Sequence, residues 1–119
     1  MIRQRAERRC EYCHLPDDAV HIPFHVEHIV AVVHEPNHHE TNLAWACPQC
    51  NWHKGPNLVT LDPATSEKVD LFNPRTDAWE EHFLLEDFTI IGLTPIGRGT
   101  AELLKMNLPM RIEVRQQVM

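Results

Sequence analysis

The stretch Glu27-His28-Ile29, followed in the chain by Cys47-Pro48-Gln49-Cys50-Asn51-Trp52-His53-Lys54, decides how the sequence is read. It brings a carboxylate–imidazole pair and a pair of thiols into one short segment, and the two sets ask for different metals. Thiolates at C-x2-C spacing suit a soft, closed zinc site. Glu27, His28 and Asn51 offer hard oxygen and neutral nitrogen groups, which suit a catalytic divalent ion. The first set is expected to hold the fold and the second to carry chemistry.

Working outward, Cys10-Glu11-Tyr12-Cys13 repeats the thiol spacing near the amino end. Two such pairs read most economically as one tetrahedral four-thiolate zinc site built from Cys10, Cys13, Cys47 and Cys50, each pair chelating through a tight turn. Buried free thiols or a redox pair are the alternatives, and His14 is an alternative fourth ligand. A chain of 119 residues makes one small domain, and a domain of that size gains from a metal staple because its surface-to-volume ratio limits the core.

Taken together, Glu27-His28, Asn42-Leu43, Cys47-Pro48-Gln49-Cys50, Asn51 and Lys54 resemble the motif of the HNH endonucleases, the ββα-metal nucleases, in its H-N-N form with a four-cysteine zinc site. The resemblance implies an α+β fold: a single domain over residues 1–119, with a ββα-metal core over about 10–55 stapled by the zinc knuckle and a mixed carboxyl-terminal extension over about 56–119. It further implies a metal-dependent DNA endonuclease. His28 is the expected general base, because an imidazole titrates near neutrality and can take a proton from water as it attacks phosphorus. Asn42 is expected to fix the geometry of His28 through its side-chain amide or backbone. Glu27 and Asn51 are the expected ligands of a catalytic Mg2+ or Mn2+ ion. Glu27 departs from the Asp frequent at its position, and residues 33–41 depart from the Gly-rich segment common in the family; that polar stretch is read as a loop near substrate.

Lys54 lies one turn beyond Asn51 on the same helix face, placed to meet a phosphate or a carboxylate. Arg75 and Arg98 flank turns and are further candidates for phosphate contact, with salt bridges as the alternative role. His25 and His53 flank the site; His21, His34, His38, His39 and His82 are read as ordinary.

Around the motif, residues 19–31 are β-branched and read as two short strands broken near Pro23, with Val26, Ile29 and Val32 as anchors. Asp77 is expected to cap a short helix ending near Phe83, and residues 83–93 to form a strand pair. A helix capped at Thr100 and a last helical segment from Pro109 complete the chain. Trp79, Phe83 and Leu85 are expected in the core. The segments 71–75, 79–83 and 92–98 also resemble a subgroup of small HNH nucleases.

The net charge of −6 argues mildly against nucleic acid, because phosphate neutralisation supplies most non-specific affinity. Arg3, Arg5, Arg8 and Arg9 nevertheless crowd the amino end, and Lys105, Arg111 and Arg115 the carboxyl end. Without an apolar run long enough to span a bilayer or a leader pattern, the expectation is a cytoplasmic protein with DNA as partner and no membrane association. Two other readings stand beside the nuclease: a zinc-stapled nucleic-acid-binding module without cleavage, and a structural or protein-interaction domain on the same knuckle.

Overall fold

A computed structural model describes residues 1–119. A first short helix, α1 (Ile2–Arg5), precedes strand β1 (His25–His28); a 3-10 turn (Glu40–Asn42) leads into β2 (Leu43–Ala46) and then directly into α2 (Pro48–Lys54). Strands β3 (Val59–Leu61) and β4 (Lys68–Asp70) follow, then α3 (Trp79–His82), β5 (Phe83–Glu86), β6 (Thr89–Gly92), α4 (Pro95–Leu103) and α5 (Pro109–Val118). The strands make three separate antiparallel pairs, β1-β2, β3-β4 and β5-β6. The architecture is α+β, as expected. No helix is long and apolar enough to cross a membrane.

The β-rich segment at residues 19–31 does not fold on itself. Only His25–His28 is strand, and its partner is Leu43–Ala46, with Glu27 opposite Ala44 and His28 opposite Leu43. This is a correction with a simple cause: side chains alternate along a strand, and Glu27 occupies the inward face while Val26 points out. Of the three expected anchors only Ile29 is buried; Val26 and Val32 are exposed. The buried cluster instead joins the four cysteines, Tyr12, Phe24, Ala44 and Ala46 to Phe72, Phe83, Ile90, Leu104 and Met106 of the carboxyl-terminal half.

That half packs through close backbone approach. A Cβ on Gly97 would lie 2.0 Å from the carbonyl oxygen of His82, so α4 can sit on the α3–β5 junction only because position 97 has no side chain. Helix α4 is capped by Thr94, whose hydroxyl accepts from the Gly97 amide at 3.0 Å. Thr100, expected as the cap, is buried mid-helix and accepts from the Phe72 amide at 2.9 Å. Asp77 does not cap α3 either; its carboxylate accepts from the Asn73 amide at 2.9 Å, closing the turn before the helix. The expected 83–93 strand pair is present and turns through Asp87 and Phe88, both at positive φ, the backbone that a two-residue primed turn requires. Phe83 is core and Trp79 packs against the core, but Leu85, on the same face of β5 and opposite the buried Ile90, is exposed.

Candidate metal centres and catalytic depression

The two C-x2-C turns meet. The sulfurs of Cys10, Cys13, Cys47 and Cys50 all lie within 4.8 Å of one another, and the four residues are buried. Cys13 and Cys47 Sγ are 3.7 Å apart, far beyond a disulfide bond and close to the ~3.8 Å edge of a tetrahedron with Zn–S distances of about 2.3 Å. The Cys13 amide donates to Cys10 Sγ and the Cys50 amide to Cys47 Sγ, each at 3.4 Å, so each turn already directs an N–H at a sulfur. The donor set fits structural zinc. Burial pushes the Cys10 and Cys50 thiols up, whereas hydrogen bonds from neighbouring sulfurs pull Cys13 down. His14, the alternative ligand, instead stacks on Trp79 with ring centroids 3.9 Å apart.

Sequence position fixes how the second set is presented. Cys47 is the N-cap of α2, so Asn51 and Lys54 follow on the next turn facing β1. Glu27, His28 and Asn51 line one open surface depression, with Val26, Val32 and Trp52 at its walls. Glu27 is 7% exposed. Its Oε2 accepts from the Tyr12 hydroxyl at 2.8 Å, and its Oε1 lies 2.6 Å from Lys54 Nζ. Yet Oε1 has no partner with hydrogen-bond geometry, because the ammonium directs its donors to the carbonyls of Ile29 (2.9 Å) and His28 (3.5 Å). Burial pushes the Glu27 carboxyl up, opposed by Lys54 and Tyr12. The Asn51 side-chain amide makes no hydrogen bond within the protein. A carboxylate and an amide oxygen at one depression are donors of the kind a hard divalent ion takes, although Glu27 Oε1 is buried against Lys54 and Oε2 is bonded to Tyr12.

The His28 ring is half-buried and its Nε2 is 2.8 Å from His38 Nδ1; Nδ1 of His28 has no partner. Asn42 does not touch that ring. It is a buried staple: Nδ2 donates to the carbonyls of Val30 (3.0 Å) and Asn37 (2.9 Å), and Oδ1 accepts from the Val30 amide at 2.9 Å. With its own carbonyl accepting from Ile29 at 2.8 Å, Asn42 holds the backbone after His28 and leaves the imidazole to His38.

The three candidates for phosphate contact all have carboxylate partners. Lys54 is 2% exposed against Glu27, Arg75 pairs with Glu11, and Arg98 pairs with Asp62 at 2.7 Å. A buried ammonium needs a partner within the protein, and Glu27 is that partner for Lys54; Arg75 and Arg98 likewise stand in salt bridges, the alternative role. At the amino end Arg3 pairs with Asp17, and Arg5 donates to the carbonyls of Glu40 (3.0 Å) and Leu43 (2.7 Å), tying α1 to β2. His25 is exposed and His53 half-exposed, and neither joins a cluster of metal-binding side chains.

Sequence reasoning did not single out four residues that shape these sites. Tyr12 links the first knuckle to Glu27. His38 engages His28 from the loop. Trp52, 81% exposed, stands at the edge of the depression. Arg111 contacts the sulfurs, its Nη2 lying 3.1 Å from Cys50 Sγ and 3.5 Å from Cys47 Sγ. Only Trp52 carried a sequence signal, as an aromatic beside Asn51 on the same short helix.

The HNH endonuclease family model matches residues 10–57, a span that contains all four cysteines together with Glu27, His28, Asn42, Asn51 and Lys54. No curated protein and no solved structure matches the chain.

Proposed function

We propose, from the premise that residues 10–57 belong to the HNH endonuclease family, that the protein is a metal-dependent endonuclease hydrolysing phosphodiester bonds in DNA. The observation that carries the reading is the convergence of Glu27, His28 and Asn51 on one depression open to solvent. The Glu27 carboxylate and the Asn51 amide oxygen would hold a Mg2+ or Mn2+ ion; such an ion, when bound, supplies charge stabilisation to the scissile phosphate and the leaving oxygen. His28 takes the proton of the attacking water at Nδ1, the ring nitrogen left without a partner while Nε2 meets His38. Asn42 acts by holding the backbone on which His28 stands, and Trp52 offers an apolar face to an unstacked base or sugar at the rim.

The binding-module reading keeps support from one observation: Lys54 already supplies a positive charge beside Glu27, where a catalytic ion would otherwise be needed. Conversion of supercoiled plasmid to nicked or linear forms separates the two. The zinc-loaded parent is expected to convert plasmid with Mg2+ or Mn2+ and to stop on chelation of that ion. His28→Ala is expected to lose about 10²- to 10⁴-fold in rate, the range for a general base, while retaining DNA binding. Equal conversion by parent and variant would remove His28 from the mechanism; DNA binding without conversion by the folded parent would establish the binding module.

A further inference from the structure

The last helix, α5, buries two arginines that have no carboxylate partner. Arg111 is 6% and Arg115 1% exposed, and the four ion pairs of the chain involve neither. A guanidinium stays protonated in proteins, and a buried charge is costly unless an opposite charge lies nearby. Arg115 is satisfied only by neutral acceptors: its Nε donates to the Phe88 carbonyl at 2.7 Å and its Nη2 to Asn107 Oδ1 at 3.1 Å. Arg111 spends Nη1 on the carbonyls of Leu104 (2.7 Å) and Lys105 (3.1 Å), at the end of α4, and aims Nη2 at Cys50 and Cys47 Sγ. The groups in contact with Arg111 that can become anionic are therefore sulfurs.

We infer that Arg111 and Arg115 are the counter-charges of a zinc tetrathiolate, so that α5 and the metal hold each other in place. The charges balance. Four thiols release four protons on binding one Zn2+, which leaves a centre of charge −2; two guanidiniums supply +2. Arg111 is the contacting member, donating N–H···S bonds to two of the ligands. Arg115, one helical turn further on, compensates at longer range. The arrangement is directional, because the same Arg111 fork binds the carbonyls of Leu104 and Lys105 just past the end of α4, where a cation is favoured by the helix dipole. The carboxyl-terminal extension thus reports on metal occupancy at the knuckles, which the matched segment at residues 10–57 alone would not do.

The test uses full-length protein as parent, Arg111→Met, Arg111→Lys and Arg115→Met. Zinc affinity is read by competition with a chromophoric chelator, the sulfur-to-metal charge-transfer bands in the Co2+-substituted protein, and the amides of residues 109–118 by hydrogen exchange. Loss of a partner to metal ligands typically costs 10- to 100-fold in metal affinity, so Arg111→Met is expected to weaken zinc by about that factor. It should also shift the Co2+ bands and expose the α5 amides. Arg111→Lys, which keeps the charge but not the fork, should lose less than about tenfold and still shift the bands; Arg115→Met should weaken zinc without moving them. A role in packing alone would make Met and Lys equivalent at position 111. Equal zinc affinities for those two variants, or parental Co2+ bands in both, overturn the inference. If Arg111→Met fails to fold, parental affinity and bands in Arg111→Lys alone do so.

Discussion

Two sets of donor side chains share one seven-residue helix, and they are built in opposite ways. At the start of α2, Cys47 and Cys50 face Cys10 and Cys13 in a sealed cluster where every donor points inward and a guanidinium closes the outer side. One turn later, Asn51 turns its amide toward an open depression in which Glu27 is only partly satisfied and His28 is half-exposed. A sealed set of soft donors returns its binding energy as folding energy; a set of hard donors beside an open depression is suited to exchanging ligands. The contrast teaches that one short helix can anchor a fold at its first turn and leave hard donors at an open surface at its second, provided the first site never opens.

The strongest way to break that contrast is to open the sealed site. Structural zinc contributes an apparent ~10 to 16 kcal/mol in small zinc-stapled folds, as much as or more than the whole stability of about 5 to 15 kcal/mol typical of a domain. With only 25 of 119 residues buried, the chain has little else to rely on. Cys47→Ser, or removal of zinc by chelation, is expected to abolish cooperative thermal unfolding, with loss of near-UV circular dichroism. Retained cooperative melting of zinc-free protein would show that the hydrophobic core suffices and that the two centres do not differ as argued.

At the second site the informative change is Lys54→Met. The ammonium is 2% exposed and lies 2.6 Å from Glu27, and removing one partner of a buried ion pair costs about 3 to 5 kcal/mol. The variant should melt at lower temperature than the parent. Because a divalent ion at Glu27 can replace the lost positive charge, Mn2+ should raise the melting temperature of the variant more than that of the parent. Equal Mn2+ shifts in the two proteins would mean that Glu27 is a purely structural carboxylate, and the depression would lose its claim to a catalytic ion.

How much was legible in the sequence follows the same division. Covalent spacing dictates knuckles, so both C-x2-C turns and the Asn51–Lys54 face of α2 could be read directly. What escaped depended on contacts distant in sequence. The partner of β1 lies beyond a polar loop at Leu43–Ala46, and no local pattern around residues 19–31 names it. His38 looked like any loop histidine until the fold set its ring against His28. Arg111 read as part of a basic carboxyl end, although it is buried 61 residues away in sequence from the Cys50 sulfur it contacts. The cap of α4, by contrast, had a local signal: Thr94 is followed by Pro95 at the first helical position, the place Pro favours, and the packing of Gly97 against His82 agrees with a helix starting there rather than at Thr100.

The smallest expected effect belongs to Asp62 and Arg98, which tie the end of β3 to α4 and belong to neither donor set. Both guanidinium donors reach the carboxylate, at 2.9 and 2.7 Å, and the Ala64 amide and Thr65 hydroxyl add two more bonds. Arg98 first, with those neighbours, holds the Asp62 carboxyl well below the usual carboxylate range. A carboxyl lowered in the folded protein binds protons more readily when unfolded, so its stabilisation is fully present above the unfolded value of ~3.9. It is lost as pH falls through that value toward the folded one. Glu27 has the opposite sign: burial raises it, and the folded state loses stability as pH rises past the ordinary glutamate value. Zinc thiolates are protonated and the metal lost before the acid range of Asp62 is reached, so the pair is tested at neutral pH, where Arg98→Ala should melt below the parent. Melting parent, Arg98→Ala, Asp62→Asn and the double variant, all zinc-loaded at pH 7, should give a double loss smaller than the sum of the single ones. Additive losses would show that Arg98 stabilises the fold by packing on β3 rather than by its charge on Asp62.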